Sequence, residues 1–380
     1  MESSRPTRFL ALDVLRGLTV AFMIIVNTPG SWDHVYAPLL HADWHGFTPT
    51  DLVFPTFLFA VGNALAFTLP ALAQRGQREF LRKTLQRSML LIAIGILLYW
   101  LPFFKRDAAG LWQVIGFADT RLPGVLQRIG LCFALASLIL YYGKQVLAYW
   151  FCVLALLAYW LILVEFGDLS MAGNAARQFD LWLLGPSHLY RGEGMAFDPE
   201  GLLGTLPATV NVLAGYFAGK HLRTAAQSSV NQAAALTQLL RQFAKLGVAL
   251  VLLAMLWDAY FPINKKLWTS SYVLLCIGLD LLLLAVLTLI TDIWQWRRWT
   301  WCFTLFGRNT LLIYLFSQLF VIVLIHLRIG AANAYDCLYQ QVFRPPLGAL
   351  HGSFAFAIFC LFCCLMLAWW MDRRKLYIRL

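Results

Sequence analysis

Between residues 27 and 51 the chain gathers Asn27, His34, His41, His45 and Asp51 around the segment HADWHGFTPTD. These residue types can do acyl-transfer chemistry. A histidine such as His41 can take the proton from an attacking amine or hydroxyl, and an amide such as Asn27 can donate to a thioester oxyanion. Other readings stay open. The i, i+4 spacing of His41 and His45 resembles a zinc pair on a helix, but Gly46 and Pro49 argue against regular helix and no H-E-x-x-H pattern is present. Any one of the histidines can also serve as a polar anchor. Asp51 follows Thr48 and Thr50, either of which can cap the helix it opens, where the helix dipole favours an anion. Alternatively its carboxylate orients His41 or grips a cationic amine. The chain has no G-x-S-x-G nucleophile motif.

The elements that must position these residues are apolar runs. Of the 380 residues 60% are hydrophobic and 13% charged, and the mean hydropathy is +0.67. A soluble domain carries about 25% charge, so the expected fold is an all-α polytopic membrane protein forming one domain over residues 1–380. Ten runs approach the length needed to cross a bilayer, 10–28, 50–73, 87–104, 122–142, 146–165, 202–220, 243–261, 268–291, 302–327 and 350–371. Lys and Arg concentrate in alternate loops, including Arg5, Arg8, the Arg75–Arg87 cluster, Arg297, Arg298 and the tail through Arg379. That bias puts both termini in the cytoplasm, and the loop with His41 and the long loop 166–201 outside. The bias also accounts for the net charge of +11 without nucleic acid. The first run is interrupted by Asp13 and Arg16 and has no cleavage site, so no cleavable leader is expected. Seven of the eight cysteines fall in or beside apolar runs, where they act as small hydrophobes, and Cys337 is in a loop.

Ionisable groups at membrane depth are costly and are retained for function or pairing. Arg16 and Asn27 fall within roughly 20° of each other on the first helix, with Asp13 a turn earlier, giving that helix a polar seam. Arg121 and Arg128 flank the fourth span, Asp198 and Glu200 open the sixth at the outer mouth, Asn264, Lys265 and Lys266 open the eighth, and Arg308 and Asn309 start the ninth near the inner side. Gly62 and Asn63 in the second span predict close helix packing with an interhelical hydrogen bond. Ten spans with polar residues at both faces also suit a transporter or exporter of amino sugars, against which stands the lack of an internal repeat.

The ordered set LDVLRGLTVAFMIIVN, HADWHG and DLVFPTFLFAVGNAL, continued by LPGVLQRIG, FDPEGLLGTLPA, FPINKKLWTSSYV and GRNTLLIY, resembles the heparan-alpha-glucosaminide N-acetyltransferase family within the wider transmembrane acyltransferases. The likeness runs from about residue 8 to the C-terminus, and the chain looks like a compact bacterial form without the N-terminal luminal domain of the animal lysosomal enzyme. The resemblance implies transfer of an acetyl group from cytoplasmic acetyl-CoA to the amine of glucosamine or a related amino sugar on the outer, periplasmic side. It implies a bacterial inner membrane location and a homodimer, and the residue pattern above leads us to expect no metal. It matches His41 to the family's active-site histidine and Asn27 to the asparagine before it; Asp51, read above from the residues as a carboxylate that can orient His41, is expected to join them as catalytic. Trp44, His45, Asp198, Glu200 and Lys265 are then expected to meet the acceptor, and Asp13, Arg16, Arg128, Arg308 and Asn309 to meet the cofactor. Two departures bear on the acceptor: the spacer after Asn27 is longer and contains His34, and position 45 is His where the lysosomal enzyme has Asn.

Overall fold

The computed structural model describes residues 9–106, 111–227, 232–330 and 332–378. Arg5, Arg8 and Arg379 of the basic pattern lie outside these. The described chain is helical, with two short antiparallel hairpins. The helices are α1 (Leu10–Asn27), α2 (Val53–Ala73), α3 (Gln77–Trp100), α4 (Val125–Tyr142), α5 (Lys144–Glu165), α6 (Ala175–Leu184), α7 (Thr205–Ala226), α8 (Gln232–Asp258), α9 (Ser270–Thr288), α10 (Trp301–Arg308), α11 (Thr310–His326), α12 (Ala334–Leu338) and α13 (Arg344–Arg373). Strand β1 (Phe104–Arg106) pairs with β2 (Trp112–Val114), and β3 (Arg328–Ile329) with β4 (Ala332–Asn333).

Every expected span coincides with helix, yet among the described residues seven helices are long and apolar enough to cross a membrane, or eight if the bent pair α10–α11 is one span. Two expected spans fall short for reasons of composition. Helix α3 begins ten residues before the expected 87–104, with the charged run QREFLRK, and ends at a hairpin rather than at residue 104. Helix α7 carries Thr205, Thr209, Asn211, Lys220 and Arg223. The ninth run is broken at Asn309, where its halves meet at 79°. The long loop 166–201 holds α6, capped by Asn174, whose side chain accepts from the Arg177 amide at 2.8 Å.

The chain packs as two compact units: Met1–Ala42, Phe47–Phe57 and Leu283–Leu380 form the first, and Asp43–Gly46 with Leu58–Leu282 the second. In the first unit α1 packs on α10, α11 and α13. Two glycines let α1 and α10 touch: a Cβ on Gly17 would lie 1.8 Å from the Phe303 carbonyl oxygen, and one on Gly307 would lie 2.3 Å from that of Asp13. Close approach of backbones at small residues is how helices pack without a hydrophobic driving force between them. In the second unit α4 packs on α3, α5 and α7. There Gly62 and Gly215 seat α2 against α7, each with a carbonyl oxygen within 2 Å of where its Cβ would be. Close packing at Gly62 is therefore as expected. The hydrogen bond expected of Asn63 is not interhelical, since its Nδ2 turns back to donate to the Phe59 carbonyl of its own helix at 3.1 Å. The second unit also has an apolar cluster of Tyr159, Leu163, Phe197, Phe261 and Leu267, with Trp44 packed on it.

Candidate active site

In the first unit Thr48 is the N-cap of a short 3-10 turn, Pro49–Leu52, that runs directly into α2. Thr50 is the other capping candidate, and its hydroxyl instead donates to the Pro38 carbonyl at 3.1 Å. Asp51 is the third residue of the turn and is buried. Its Oδ2 accepts the main-chain N–H of Thr48 at 2.9 Å and of Ala42 at 3.2 Å, the first being the reach-back of a capping box. Both readings of Asp51 therefore hold at once, because its Oδ1 lies 2.6 Å from His41 Nδ1. Facing an acceptor-only carboxylate, Nδ1 carries the proton, which leaves the lone pair of the neutral ring on Nε2. The His41 side chain is 40% exposed while the Asp51 carboxylate is enclosed. The enclosed carboxylate thus fixes one tautomer of a partly exposed imidazole.

Asn27 is the last residue of α1 and is exposed. The same helix packs against the Pro49–Leu52 turn. His34, the additional histidine of the spacer, lines a small cavity with Ile25, Val35, Leu39, Phe354 and Ala357. Beside it the Tyr36 hydroxyl hydrogen-bonds His351 Nδ1. Farther along α1, Asp13 is buried and ion-pairs with Arg16. Arg308 ion-pairs with Asp372 of α13. Asn309 fastens the C-terminal segment, donating to the Leu376 carbonyl and accepting from the Ile378 amide, both at 3.0 Å. The first unit thus holds the three residues expected to be catalytic and four of the five expected to meet the cofactor. The fifth, Arg128, belongs to the second unit. It is buried on α4, donates from Nη2 to the Gly201 carbonyl at 2.8 Å, and lies 4.9 Å above the Trp268 ring.

The residues expected to meet the acceptor are in the second unit. Trp44 donates from Nε1 to the Leu169 carbonyl at 2.8 Å and stands edge-on to Phe197. His45 Nδ1 lies 3.4 Å from Asn264 Nδ2. Asp198 and Glu200 are buried and are not an open acidic mouth. Arg121 takes Asp198 in a fork, Nε to Oδ2 at 2.8 Å and Nη2 to Oδ1 at 2.6 Å, and also reaches Glu200 Oε2 at 2.6 Å. The guanidinium is stacked between Tyr99 and Tyr190, 4.8 Å from each ring centre. Lys265 Nζ lies 4.0 Å from Glu200 Oε1. Burial pushes the Glu200 carboxyl up, but Lys265, Arg121 and Arg128 outweigh it and hold the group below its ordinary value. Asp180 of α6 has the opposite balance. It accepts the Leu202 amide at 2.9 Å, and burial raises it to about 7.

Arg121, Asn264 and Asp180 are parts of this framework to which the sequence attached no role. Arg121 and Asn264 stood out only as polar groups at span starts, and nothing local in the sequence pairs either with its partner. Among the described residues no group of three His, Cys, Asp or Glu side chains is arranged to hold a metal ion. All eight cysteines are free thiols.

Residues 8–257 match the family model described as heparan-alpha-glucosaminide N-acetyltransferase, catalytic. The human heparan-alpha-glucosaminide N-acetyltransferase is 30% identical over 377 residues, covering 84% of this chain and 54% of the human protein. The mouse protein of the same name is 30% identical over 366 residues, covering 82% of this chain and 53% of its own. The chain spans about half the length of the curated relatives it matches. With two thirds of its residues inside the family model and the His41–Asp51 dyad within that stretch, the chain belongs to the heparan-alpha-glucosaminide N-acetyltransferase catalytic family.

Proposed function

We propose that this chain is a multi-pass membrane acetyltransferase that moves an acetyl group from cytoplasmic acetyl-CoA to the amine of glucosamine or a related amino sugar on the outer side of a bacterial inner membrane. The observation that carries the reading is the 2.6 Å contact between His41 Nδ1 and a buried Asp51. A partly exposed histidine held in one tautomer by an enclosed carboxylate is suited to remove a proton from an attacking amine. The amine nitrogen attacks the thioester carbon, His41 Nε2 takes the amine proton, and the C–S bond breaks to release CoA, whose sulfur receives a proton. Asn27 donates to the carbonyl oxygen as it becomes an oxyanion. His41 acting as a transient acetyl carrier uses the same nitrogen.

Acetyl-CoA is a substrate here, met by Asp13, Arg16, Arg308 and Asn309 of the first unit, with Arg128 a further cation in the second. The acceptor is met by Trp44, His45, Lys265 and the Asp198–Glu200 turn. Because Arg121 already neutralises Asp198, the role proposed for this turn is to present Lys265 and the Glu200 side that faces it, rather than an acidic surface. Both termini are cytoplasmic and the protein works as a homodimer.

The test uses purified protein in liposomes, with acetyl-labelled acetyl-CoA on one face and glucosamine on the other. Labelled N-acetylglucosamine formed by the wild type, and not by His41→Ala, supports the reading. Glucosamine that crosses without gaining label sinks it in favour of an amino-sugar transporter.

A further inference from the structure

His41 and His45 stand four residues apart in one hexapeptide, HADWHG, yet their ring partners are of opposite kind. The carboxylate beside His41 can only accept, so Nδ1 of that ring donates and Nε2 is the base. His45 faces Asn264, which is fully buried and whose amide has one orientation that satisfies its neighbours. Oδ1 accepts the Leu267 main-chain N–H at 2.8 Å, which turns the NH2 group toward His45 Nδ1 at 3.4 Å. An amide NH2 only donates. Nδ1 of His45 is therefore the acceptor, and the proton of the neutral ring is on Nε2. The support behind this contact is firm. The Asn264 amide N–H donates to Thr269 Oγ1 at 3.0 Å, and the neighbouring Ile263 carbonyl takes the Gly46 N–H at 2.8 Å. His45 itself is exposed. One short motif thus presents one histidine as a proton acceptor and the other as a hydrogen-bond donor.

We infer that Asn264 is a positioning residue that keeps His45 in its Nε2–H form, and that His45 donates this hydrogen bond to a hydroxyl oxygen of the acceptor sugar. The inference rests on the acetyltransferase reading. The amine is excluded as the partner: when protonated it has no lone pair to offer an N–H, and when neutral it must keep that lone pair for attack on the thioester. A hydroxyl oxygen of the sugar is the chemistry that the N–H of an exposed histidine recognises.

The test combines 15N magic-angle-spinning spectra of histidine-labelled protein in lipid with steady-state kinetics, the His45 signals being identified by their loss in His45→Phe. The wild-type ring is expected to be Nε2–H. Asn264→Asp replaces the NH2 with an acceptor, as at Asp51, and is expected to turn the ring over to Nδ1–H. The same substitution raises the KM for the amino sugar about two- to tenfold, the net worth of one hydrogen bond, with kcat and the KM for acetyl-CoA held. His45→Phe gives the same KM rise, and His45→Asn, which restores a donor, recovers part of it. An Nδ1–H ring in the wild type, an acceptor KM indifferent to His45→Phe, or a fall in kcat with acceptor KM unchanged overturns the inference. Should Asn264→Asp fail to fold, the wild-type spectrum and the two substitutions at exposed His45 decide the question. A wild type that acetylates no amino sugar defeats the acetyltransferase reading and with it the donor role, while the spectrum still decides the Asn264–His45 pairing.

Discussion

Replacing Asp51 by Asn tests the dyad more sharply than removing His41, because it changes one atom and keeps the shape. Oδ2 of Asp51 accepts two main-chain N–H groups, from Thr48 and Ala42. In the variant the amide oxygen must stay at that position, since an NH2 there would face two donors, at about 1–3 kcal/mol for each one left unsatisfied. The NH2 group therefore replaces Oδ1 and points at His41 Nδ1, 2.6 Å away in the wild type. An NH2 facing Nδ1 forces the imidazole proton onto Nε2, and the nitrogen meant to receive the amine proton no longer has a lone pair. The expected loss is that of general-base catalysis, about 10²–10⁴ in kcat, which corresponds to roughly 3–5 kcal/mol at 1.36 kcal/mol per decade. The assay is acetyl transfer to glucosamine by protein in liposomes, with acetyl-CoA binding measured separately and expected to persist. His41→Ala and the Asp51→Asn, His41→Ala pair should both fall to the same floor, since residues that act as a unit are not additive. Activity of Asp51→Asn within about fivefold of wild type would refute the tautomer argument, and a double variant far worse than either single would show that Asp51 acts apart from His41.

Two further predictions concern the framework of the second unit. Arg121→Ala leaves Asp198 and Glu200 buried without the guanidinium that pairs with both. It should destabilise the protein by about 3–5 kcal/mol, read as a large drop in apparent Tm in detergent, and an unchanged Tm would mean that the charges are solvated. Asp180 fixes a pH dependence: burial raises its carboxyl from 3.8 to about 7, against the Leu202 amide and Arg128, which lower it, while Asp198 adds to the rise. The folded state then holds a proton between about pH 4 and 7 that the unfolded state has released, so stability falls as pH rises through that window and is flat above it. Asp180→Asn, which keeps an acceptor for Leu202, should raise the Tm at pH 8 and leave it unchanged near pH 4. A wild type more stable at pH 8 than at pH 4, with the variant worse at both, would show that Asp180 is held as an anion by Arg128.

What could be read from the sequence and what could not divides by the range of the interaction. Helices follow from apolar runs that are local, and all ten expected positions are helical. Whether α3 and α7 cross the bilayer turns on charge density and on neighbours, and no local apolar pattern announces the 79° break at Asn309. The dyad was within reach because His41 and Asp51 are ten residues apart with a capping turn between them. The partners of the residues expected to meet the acceptor were not. Asp198 and Glu200 read as an open acidic mouth, since a sequence displays charges without their partners, and Arg121 is 77 residues from Asp198. The two histidines of HADWHG make the point at its sharpest. They are the same side chain in the same motif, and composition or spacing assigns them the same chemistry. The difference between a base and a donor is set by a carboxylate ten residues away in one case and by an amide 219 residues away in the other. A tautomer is a property of the partner, so any account of this motif that treats its histidines alike leaves out the contact that makes them unlike.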